Sequence, residues 1–297
     1  MSAVIRQILN TQLYPLDKIT KPIAAYSLRR LYKSFNGSPI RVRRSSDNAE
    51  ADIGFTRKNT LNTTQLLNFV GSGDGDVMVW SDQTNNGYHL IQEAPFRIVA
   101  SGVLITENNN PAMRSNNTAS MSVTTPVTSR SNFTFATVAK FYTQTIWSPI
   151  CGIKTNTTTA GNGEPLLQQN GVSITSNALA SHNTGVSDAT GNLISITTSN
   201  FLAQRIAFLS RNGGDSLGNG ATLRLKINDV LSAVLVTQSF NVGGLSSTFR
   251  IGGRQQTATA FFDGVIQEIL LFSAALSIND ELALMQNQGT YYGLSVI

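Results

Sequence analysis

The stretch VWSDQTNNGYHLIQ, residues 79–92, brings together side chains that could do chemistry. It contains an acid, Asp82, a histidine, His89, and an aromatic ring, Trp80, around a central Asn-Gly pair. The ring could stack on a sugar, and the imidazole could donate to a hydroxyl. The same residue types also build turns, because short polar side chains bind local backbone groups. We interpret the stretch as a loop in which Asp82 and Gln83 satisfy backbone donors, with sugar binding as the alternative.

Other candidate sites are poorer in ligands. The sequence GSGDGD (71–76) has two acids but lacks the regularly spaced ligands of a calcium loop. A single cysteine, Cys151, excludes an intrachain disulfide and a multi-cysteine metal site, and it is interpreted as a buried apolar residue. Two histidines, His89 and His182, are too few for a histidine-based zinc site. The sequence therefore predicts neither a metal nor a cofactor.

The composition favours short strands joined by turns. Charged residues make up 13% of the 297 residues, about half the usual share of ~25%. The net charge of +5 is concentrated early in the chain, at Arg29, Arg30, Lys33, Arg41, Arg43 and Arg44. We interpret this cluster as a solvated surface, because no aromatic residues interleave it as in nucleic-acid-binding motifs. No apolar run approaches the ~18 residues of a membrane span, and the N-terminus does not resemble a secretory signal.

Two regions are distinguished by their local patterns. Residues 1–20 are expected to form an N-terminal arm that serves assembly, and residues 21–297 to form one domain. A first helix is predicted over 21–35, capped by Thr20 and ended by Asn36-Gly37. Its apolar face would be formed by residues with helical spacing: Leu28, Leu31, Tyr32 and Phe35.

The rest of the pattern indicates β-structure with two further helices. IRVRR (40–44) alternates like a strand, and Asn62 with Gln65 predicts the start of a short helix over 63–70. Ser277 and Asp280 predict the start of a C-terminal helix. Between them, many short apolar runs are separated by turn residues, including a turn at 263–264. We therefore predict an all-β fold, a two-sheet sandwich or jelly roll.

Two stretches, AAYSLRRLYKSFNGSPIRVRRSSDNAEADIGF (24–55) and WSDQTNNGYHLIQEAP (80–95), resemble the catalytic domain of the fungal-type α-L-arabinofuranosidase B family. The end of the chain, FRIGG…FFDGVIQEILLFSAALS, resembles the last strands of concanavalin A-like lectin and laminin-G-like sandwiches. Both ends also look like pieces of bacteriophage structural proteins. The resemblance implies a concanavalin A-like two-sheet β-sandwich (jelly roll) with a few short helices and an N-terminal arm.

The same resemblance bears on catalysis. The family is a retaining hydrolase, which requires two carboxyl groups about 5–5.5 Å apart. Its acid/base aspartate follows an Ile-Gly-Gly sequence, and the matching residue here is Arg254, which stays protonated. Its nucleophile region reads EPLLQQNGVSI here, with Gln168 and Gln169. Its adjacent cysteine pair matches Ile150-Cys151.

These departures predict a protein without catalytic residues. A remaining carbohydrate site would include Arg254, Gln168, Gln169 and His89, with Trp80 or Trp147 as a stacking wall.

The predicted function is that of a bacteriophage virion protein, structural or receptor-binding and lectin-like. It would be made in the host cytoplasm and assemble as a homo-oligomer with other virion subunits. Its ligand would be a host cell-surface glycan, with no role for nucleic acid. The alternative is a retaining glycosidase acting on arabinofuranosides, in which Glu164 would act with Asp188, Asp215 or Asp263.

Overall fold

The computed structural model describes residues 14–124, 132–143, 148–155, 166–169, 178–183, 192–197, 203–213, 222–228, 230–236, 245–253 and 262–296. In these ranges the chain forms two α-helices, α1 (Thr63–Val70) and α2 (Ile278–Tyr292), and a short 3-10 helix, Pro15–Asp17. It also forms twenty β-strands: β1 (Ala24–Ser27), β2 (Ile40–Arg44), β3 (Glu50–Ile53), β4 (Gly75–Trp80), β5 (Leu90–Ala100), β6 (Val103–Leu104), β7 (Thr106–Glu107), β8 (Asn110–Pro111), β9 (Met113–Asn116), β10 (Ser120–Thr124), β11 (Phe133–Phe141), β12 (Ser148–Thr155), β13 (Leu166–Gln169), β14 (Ala178–Asn183), β15 (Asn192–Thr197), β16 (Arg205–Asn212), β17 (Thr222–Ile227), β18 (Val230–Val236), β19 (Leu245–Ile251) and β20 (Asp263–Phe272).

The strands form two antiparallel layers. The front sheet has the order β3–β2–β4–β5–β10–β19–β12–β13–β14–β15. The back sheet has the order β20–β11–β16–β17–β18, and β1 and β9 both pair with the other edge of β20. Strand β9 also pairs with β5 and so joins the two sheets. The predicted all-β sandwich is confirmed.

Apolar residues fill two separate cores. The main core lies between the sheets and contains Trp80, Phe96, Phe135 and Phe249 among many others. The second core lies between the back sheet and helix α2, where Phe272 packs with residues of the helix. Burying aromatic side chains of this size contributes a large share of a sandwich's stability.

Two predicted helix starts are confirmed. The Asn62 side chain accepts from the N–H of Gln65 at 3.1 Å, and α1 begins at the next residue after Asn62. Ser277 accepts from the N–H of Asp280 at 3.1 Å and so caps α2. Each cap satisfies a backbone donor that the first turn of a helix leaves without a partner.

The predicted helix over 21–35 is wrong. Residues 24–27 form β1, which pairs with residues 268–271 of β20. The apolar residues that suggested one helical face are buried, but Leu28 lies in the main core and Leu31 in the second core. Strand pairing with the far end of the chain therefore overrides the local helical spacing.

The predicted turn at 263–264 is also wrong, because both residues belong to β20. Gly264 pairs with Phe141 of β11 on one side and Ser115 of β9 on the other. A Cβ atom at this position would lie 2.0 Å from the carbonyl oxygen of Lys140. Glycine at this position therefore permits the two strand backbones to approach closely, as glycines inside sheets often do.

The chain from residue 14 to residue 20 packs on the back of the sandwich. Leu16 is buried in the second core with Leu284 and Met285 of α2. Thr20 donates from its hydroxyl to the Asp280 carboxylate at 2.9 Å. The predicted arm, residues 1–20, thus contacts the sandwich through Leu16 and Thr20. Residues 1–13 lie outside the described residues, and the assembly role of the arm stays a prediction.

Candidate functional site

The loop after β4 is held by the Asp82 carboxylate. Its Oδ1 accepts from the backbone N–H of Ala25 at 3.0 Å and of Thr84 at 2.9 Å. Its Oδ2 accepts from the Thr84 hydroxyl at 2.7 Å and from the N–H of Tyr88 at 3.3 Å. Asp82 is fully buried. Both carboxylate oxygens of Asp82 thus accept from donors of the protein itself, so Asp82 has a structural role.

Gln83 does the same for the segment between β1 and β2. Its Oε1 accepts from the N–H of Leu31 at 2.8 Å, while its Nε2 donates to the carbonyl oxygens of Ser27 and Arg29. These bonds satisfy backbone groups of an irregular segment that a helix would have satisfied internally. The interpretation of the loop as tied by Asp82 and Gln83 is confirmed.

The two ligand-binding candidates of this loop have different surroundings. Trp80 is fully buried in the main core, with its ring centroid 5.8 Å from that of Tyr26. It cannot be the predicted stacking wall, because no face of its ring is open to a ligand. His89 is exposed, and its Nδ1 accepts from the N–H of Asp82 at 3.1 Å. The proton of the neutral ring is therefore on Nε2, which is left as a donor.

His89 lies at a groove of about 510 Å³ on the outer face of the front sheet. The groove crosses three adjacent strands, β5, β10 and β19. Ser122 of β10 pairs with Ile91 of β5 on one side and with Arg250 of β19 on the other. Besides these and His89, it is lined by four residues: Glu93, Val123, Thr124 and Thr248.

A polar network spans the floor of the groove. Glu93 accepts from the hydroxyls of Ser120 at 3.0 Å and Ser122 at 2.8 Å. Arg250 donates to the same carboxylate from Nη2. Partial burial raises the pKa of Glu93, but these donors and the charge of Arg250 more than offset it and hold the pKa below its ordinary value. Glu93 is therefore ionised at neutral pH.

Gly252, directly after β19, is held in a backbone conformation that other residues rarely adopt. Gly252 has a φ of +79°, and a Cβ atom there would lie 2.4 Å from the carbonyl oxygen of Ala119. Its N–H donates to the carbonyl oxygen of Ile150 at 2.9 Å, and its own carbonyl accepts from Phe262 at 2.7 Å. Only glycine fits such a position. Arg254, two residues on, lies outside the described residues.

The remaining predicted ligand residues lie on the same sheet or outside the description. Gln168 and Gln169 are in β13, where the backbone is described, and they pair with Pro149 and Ser148 of β12. Strand β12 separates β13 from β19. Trp147 and the predicted carboxylates Glu164, Asp188 and Asp215 lie outside the described residues.

Asp263 is described and is already engaged. Its carboxylate forms an ion pair with Arg114 at 2.7 Å and accepts from the Thr143 hydroxyl at 2.7 Å. Cys151 is buried, as predicted, and burial raises the pKa of its thiol, which disfavours the nucleophilic thiolate.

The acids of the glycine-rich loop are used in ion pairs rather than as metal ligands. Asp74 and Asp76 both contact Arg97, at 2.7 and 3.1 Å. Over the ranges that the structure describes, no group of three or more His, Cys, Asp or Glu side chains is arranged to hold a metal. None of the described helices is long and apolar enough to cross a membrane.

Three of the six early basic residues form ion pairs. Arg29 binds Glu268 inside the protein at 2.8 Å. On the surface, Arg41 binds Asp52 at 2.8 Å and Arg44 binds Asp47 at 2.7 Å. The interpretation of this cluster as a solvated face holds for Arg41 and Arg44, and it is wrong for Arg29, which is buried.

The sequence did not point to the groove residues Glu93, Ser122 and Arg250. Alternation of polar and apolar residues in SMSVT and STFRI indicates outward-facing side chains. It does not show that strands 27 and 157 residues away along the chain come to lie beside Glu93.

Comparisons with known proteins agree with this architecture. The family model of the catalytic domain of α-L-arabinofuranosidase B matches residues 13–161. No curated protein matches the sequence. Solved structures with a similar fold include a GH54 α-L-arabinofuranosidase variant soaked with 4-nitrophenyl α-L-arabinofuranoside (TM-score 0.68) and an arabinofuranosidase complexed with arabinofuranosyl-α-1,2-xylobiose (TM-score 0.67).

Both structures are 14% identical to this chain and are matched over 90% of it. The chain covers 62% of each of those proteins. At this identity the structural likeness establishes the fold, an all-β sandwich. The family match extends over half of the sequence, so this chain belongs to the family of the α-L-arabinofuranosidase B catalytic domain.

Proposed function

We propose that this chain is a lectin-like member of the family that binds glycans without hydrolysing them. Its sugar site would lie on the outer face of the front sheet, in the groove of about 510 Å³ formed by β5, β10 and β19. The observation that carries the proposal is the network of Glu93, Ser122 and Arg250 along the floor of this groove.

The groove has the chemistry that sugar hydroxyls require. Glu93 offers about four lone-pair sites, of which Ser120, Ser122 and Arg250 use three. The remaining site on Oε1 can accept from a hydroxyl. His89 supplies a donor at Nε2, and Ile91, which is 51% exposed, supplies an apolar surface for a sugar's C–H groups.

The groove does not supply the groups that retention requires. Glu93 is the one carboxylate among its described lining residues, whereas a retaining mechanism uses two about 5–5.5 Å apart. At the position that resembles the family's acid/base the sequence has Arg254. A guanidinium binds carboxylates or hydroxyls as a fork of donors but does not exchange a proton at neutral pH.

Glycan-array binding tests the proposal. We expect wild-type protein to bind, and Arg250→Ala to bind at least tenfold more weakly, because Arg250 holds the Glu93 carboxylate that accepts the sugar hydroxyl, and a charge-assisted hydrogen bond is worth about 1.5–3 kcal/mol. The matched control is Arg41→Ala, which removes an exposed arginine that also pairs with a carboxylate. Arg254→Ala reports whether the site extends beyond the groove. Loss of binding in Arg41→Ala equal to that in Arg250→Ala, or no binding by wild type, would contradict the proposal.

Hydrolysis is the outcome that favours the alternative function. A chromogenic arabinofuranoside should show no turnover if the protein only binds. Turnover that disappears in Glu164→Gln would instead support a retaining glycosidase, with Glu164 as one of its carboxylates.

The biological setting we propose is a bacteriophage particle, in which this chain would be a structural or receptor-binding subunit. Its support is the resemblance of both ends of the sequence to phage structural proteins. In a symmetric assembly, several weak sugar sites would act together and raise the apparent affinity. The concanavalin A-like assignment of the sandwich belongs to the same proposal. Mass spectrometry of purified particles is the test, and the chain's absence from them would exclude this setting.

A further inference from the structure

A second cavity lies on the other side of the sandwich, on the outer face of the back sheet. It has a volume of about 330 Å³, within the range of small-molecule sites, which begins near 300 Å³. Strands β16 and β17 supply one wall, and the segment Ala275–Ile278 that enters α2 supplies the other. It shares no lining residue with the groove on the front sheet.

A buried hydroxyl without a partner lines this cavity. Ser210 is 3% exposed, and its Oγ has no hydrogen-bond partner. Buried side-chain hydroxyls almost always have one, so an orphaned hydroxyl at a cavity indicates a missing partner. Directly opposite Ser210 in the sheet is Arg224, whose Nε also has no partner. The two side chains lie on one face and can reach the same ligand group.

The charges around the cavity favour an anion. Arg224 forms an ion pair with Glu281, and the Lys226 ammonium lies 4.0 Å from the other oxygen of the same carboxylate. Two cations therefore face one acid. The second acid of this helix turn, Asp280, accepts from the Thr20 hydroxyl instead.

The start of α2 adds to this preference. The Ser277 hydroxyl accepts a hydrogen bond from the N–H of Asp280, whereas the N–H groups of Ile278 and Asn279 have no acceptor inside the helix. The positive end of the helix dipole also favours an anion at this place. Around the polar centre, Asn212 and Thr222 present an amide and a hydroxyl to the cavity.

We propose that this cavity binds a small sugar acid. The carboxylate would accept from Arg224, from the Ser210 hydroxyl and from the first turn of α2, and the sugar hydroxyls would bind Asn212 and Thr222. A neutral sugar would leave the orphaned donors without an anion, and a simple inorganic anion would leave most of the cavity empty. The site is independent of the proposed glycan groove.

Isothermal titration calorimetry with sodium glucuronate, and with glucose as the neutral match, tests this site. We expect wild type to bind glucuronate and not glucose in this assay. Ser210→Ala should weaken glucuronate binding at least tenfold, because a hydrogen bond to a charged group is worth about 1.5–3 kcal/mol. It removes a hydroxyl that has no partner in the protein, so the fold is preserved. Ser72→Ala is the control, since it removes the same hydroxyl from an exposed serine that lines neither the groove nor this cavity, and it should leave glucuronate binding unchanged.

A second pair of variants tests the charge of the site. Ile278, 69% exposed, lines the cavity, and Val103, 68% exposed, does not. Ile278→Glu should weaken glucuronate binding about tenfold by repulsion, although an acid suits the first turn of a helix. Val103→Glu should have no effect. The proposal fails if wild type does not bind glucuronate, if glucose binds equally well, if Ser210→Ala binds glucuronate no more weakly than Ser72→Ala does, or if Val103→Glu weakens binding as much as Ile278→Glu.

Discussion

Two ion pairs lie between the back sheet and helix α2, and they differ in how completely they are satisfied. Glu268 accepts five hydrogen bonds, from Arg29, Ser27, Gln288 and Tyr292, all buried. Glu281 meets Arg224 and, at 4.0 Å, Lys226. The first pair is enclosed in a network, whereas the second borders a cavity that retains unpartnered donors.

The difference is visible in the acidity of the two carboxyl groups. Burial raises the pKa of Glu268, but the charge of Arg29 and the hydrogen bonds outweigh it, and the pKa is lowered. Burial also raises the pKa of Glu281, and there the charges of Arg224 and Lys226 do not offset it, so the pKa is raised. A complete set of donors thus lowers the pKa of the buried Glu268, whereas the incomplete set around Glu281 leaves its pKa raised.

The arginines follow the same rule. Arg29 places its guanidinium 4.5 Å from the ring centroid of Tyr291 and donates from Nη1 to Asn287 at 2.8 Å. Arg224 is 23% exposed and keeps an Nε donor without a partner. We infer that the Arg29–Glu268 network attaches α2 to the sheet, while the Arg224–Glu281 pair is adapted to a ligand.

Glu268→Gln should have the largest effect on stability. It leaves the buried Arg29 guanidinium without its counter-ion, and breaking one partner of a buried pair costs about 3–5 kcal/mol. Urea unfolding at neutral pH would measure the loss. The control is Asp52→Asn in the exposed pair with Arg41, which should leave the unfolding midpoint nearly unchanged. Equal midpoints for wild type and Glu268→Gln would show that the network does not stabilise α2.

Alanine substitutions of two serines, Ser27 and Ser210, should change stability less than Glu268→Gln and can be compared directly. Ser27 donates to Glu268 at 2.9 Å and accepts from the N–H of Arg29 at 3.2 Å, so Ser27→Ala should cost about 1–3 kcal/mol. Ser210 has no partner, and Ser210→Ala should change stability by less than about 0.5 kcal/mol. Both losses are read from urea unfolding of the ligand-free protein. A cost of Ser210→Ala as large as that of Ser27→Ala would mean that Ser210 has a structural partner.

The sequence predicted what depends on neighbours along the chain. The starts of α1 and α2 were found because Asn62 and Ser277 cap backbone groups three residues away. The tied loop was found because Asp82 binds groups two and six residues on. Such contacts are encoded by residue type and spacing within a few positions.

What depends on distant strands was missed. Helical spacing over 21–35 was misleading, because the partner that makes Ala24–Ser27 a strand is β20, more than 240 residues later. The Arg29–Glu268 network joins residues 239 apart. The groove on the front sheet likewise needs the pairing of β5, β10 and β19. Charge and polarity at these positions are visible in the sequence, but their proximity is set by the sheet order.

The pH dependence of Glu281→Gln is the smallest and most specific effect. The raised pKa means that the folded state favours the protonated carboxyl group. The stability that Glu281 contributes is therefore fully present below its ordinary pKa of 4.5 and is lost as the pH rises through the higher folded value. Glutamine resembles the protonated acid, so the variant should match wild type at low pH. At neutral pH the free energy of unfolding of Glu281→Gln should equal that of wild type or exceed it by less than about 1 kcal/mol.

The matched experiment is the same pH series on Glu268→Gln. The lowered pKa of Glu268 contributes stability above its ordinary value of 4.5 that disappears as the pH falls through the folded value. The difference between wild type and Glu268→Gln should therefore shrink on acidification, with the opposite sign of slope to Glu281→Gln. Urea midpoints between about pH 3 and pH 8 would show both slopes, because both carboxyl groups have an ordinary pKa of 4.5. Slopes of the same sign would mean that the two carboxylates are equally well satisfied, and the contrast between an anchoring pair and a ligand-bordering pair would be lost.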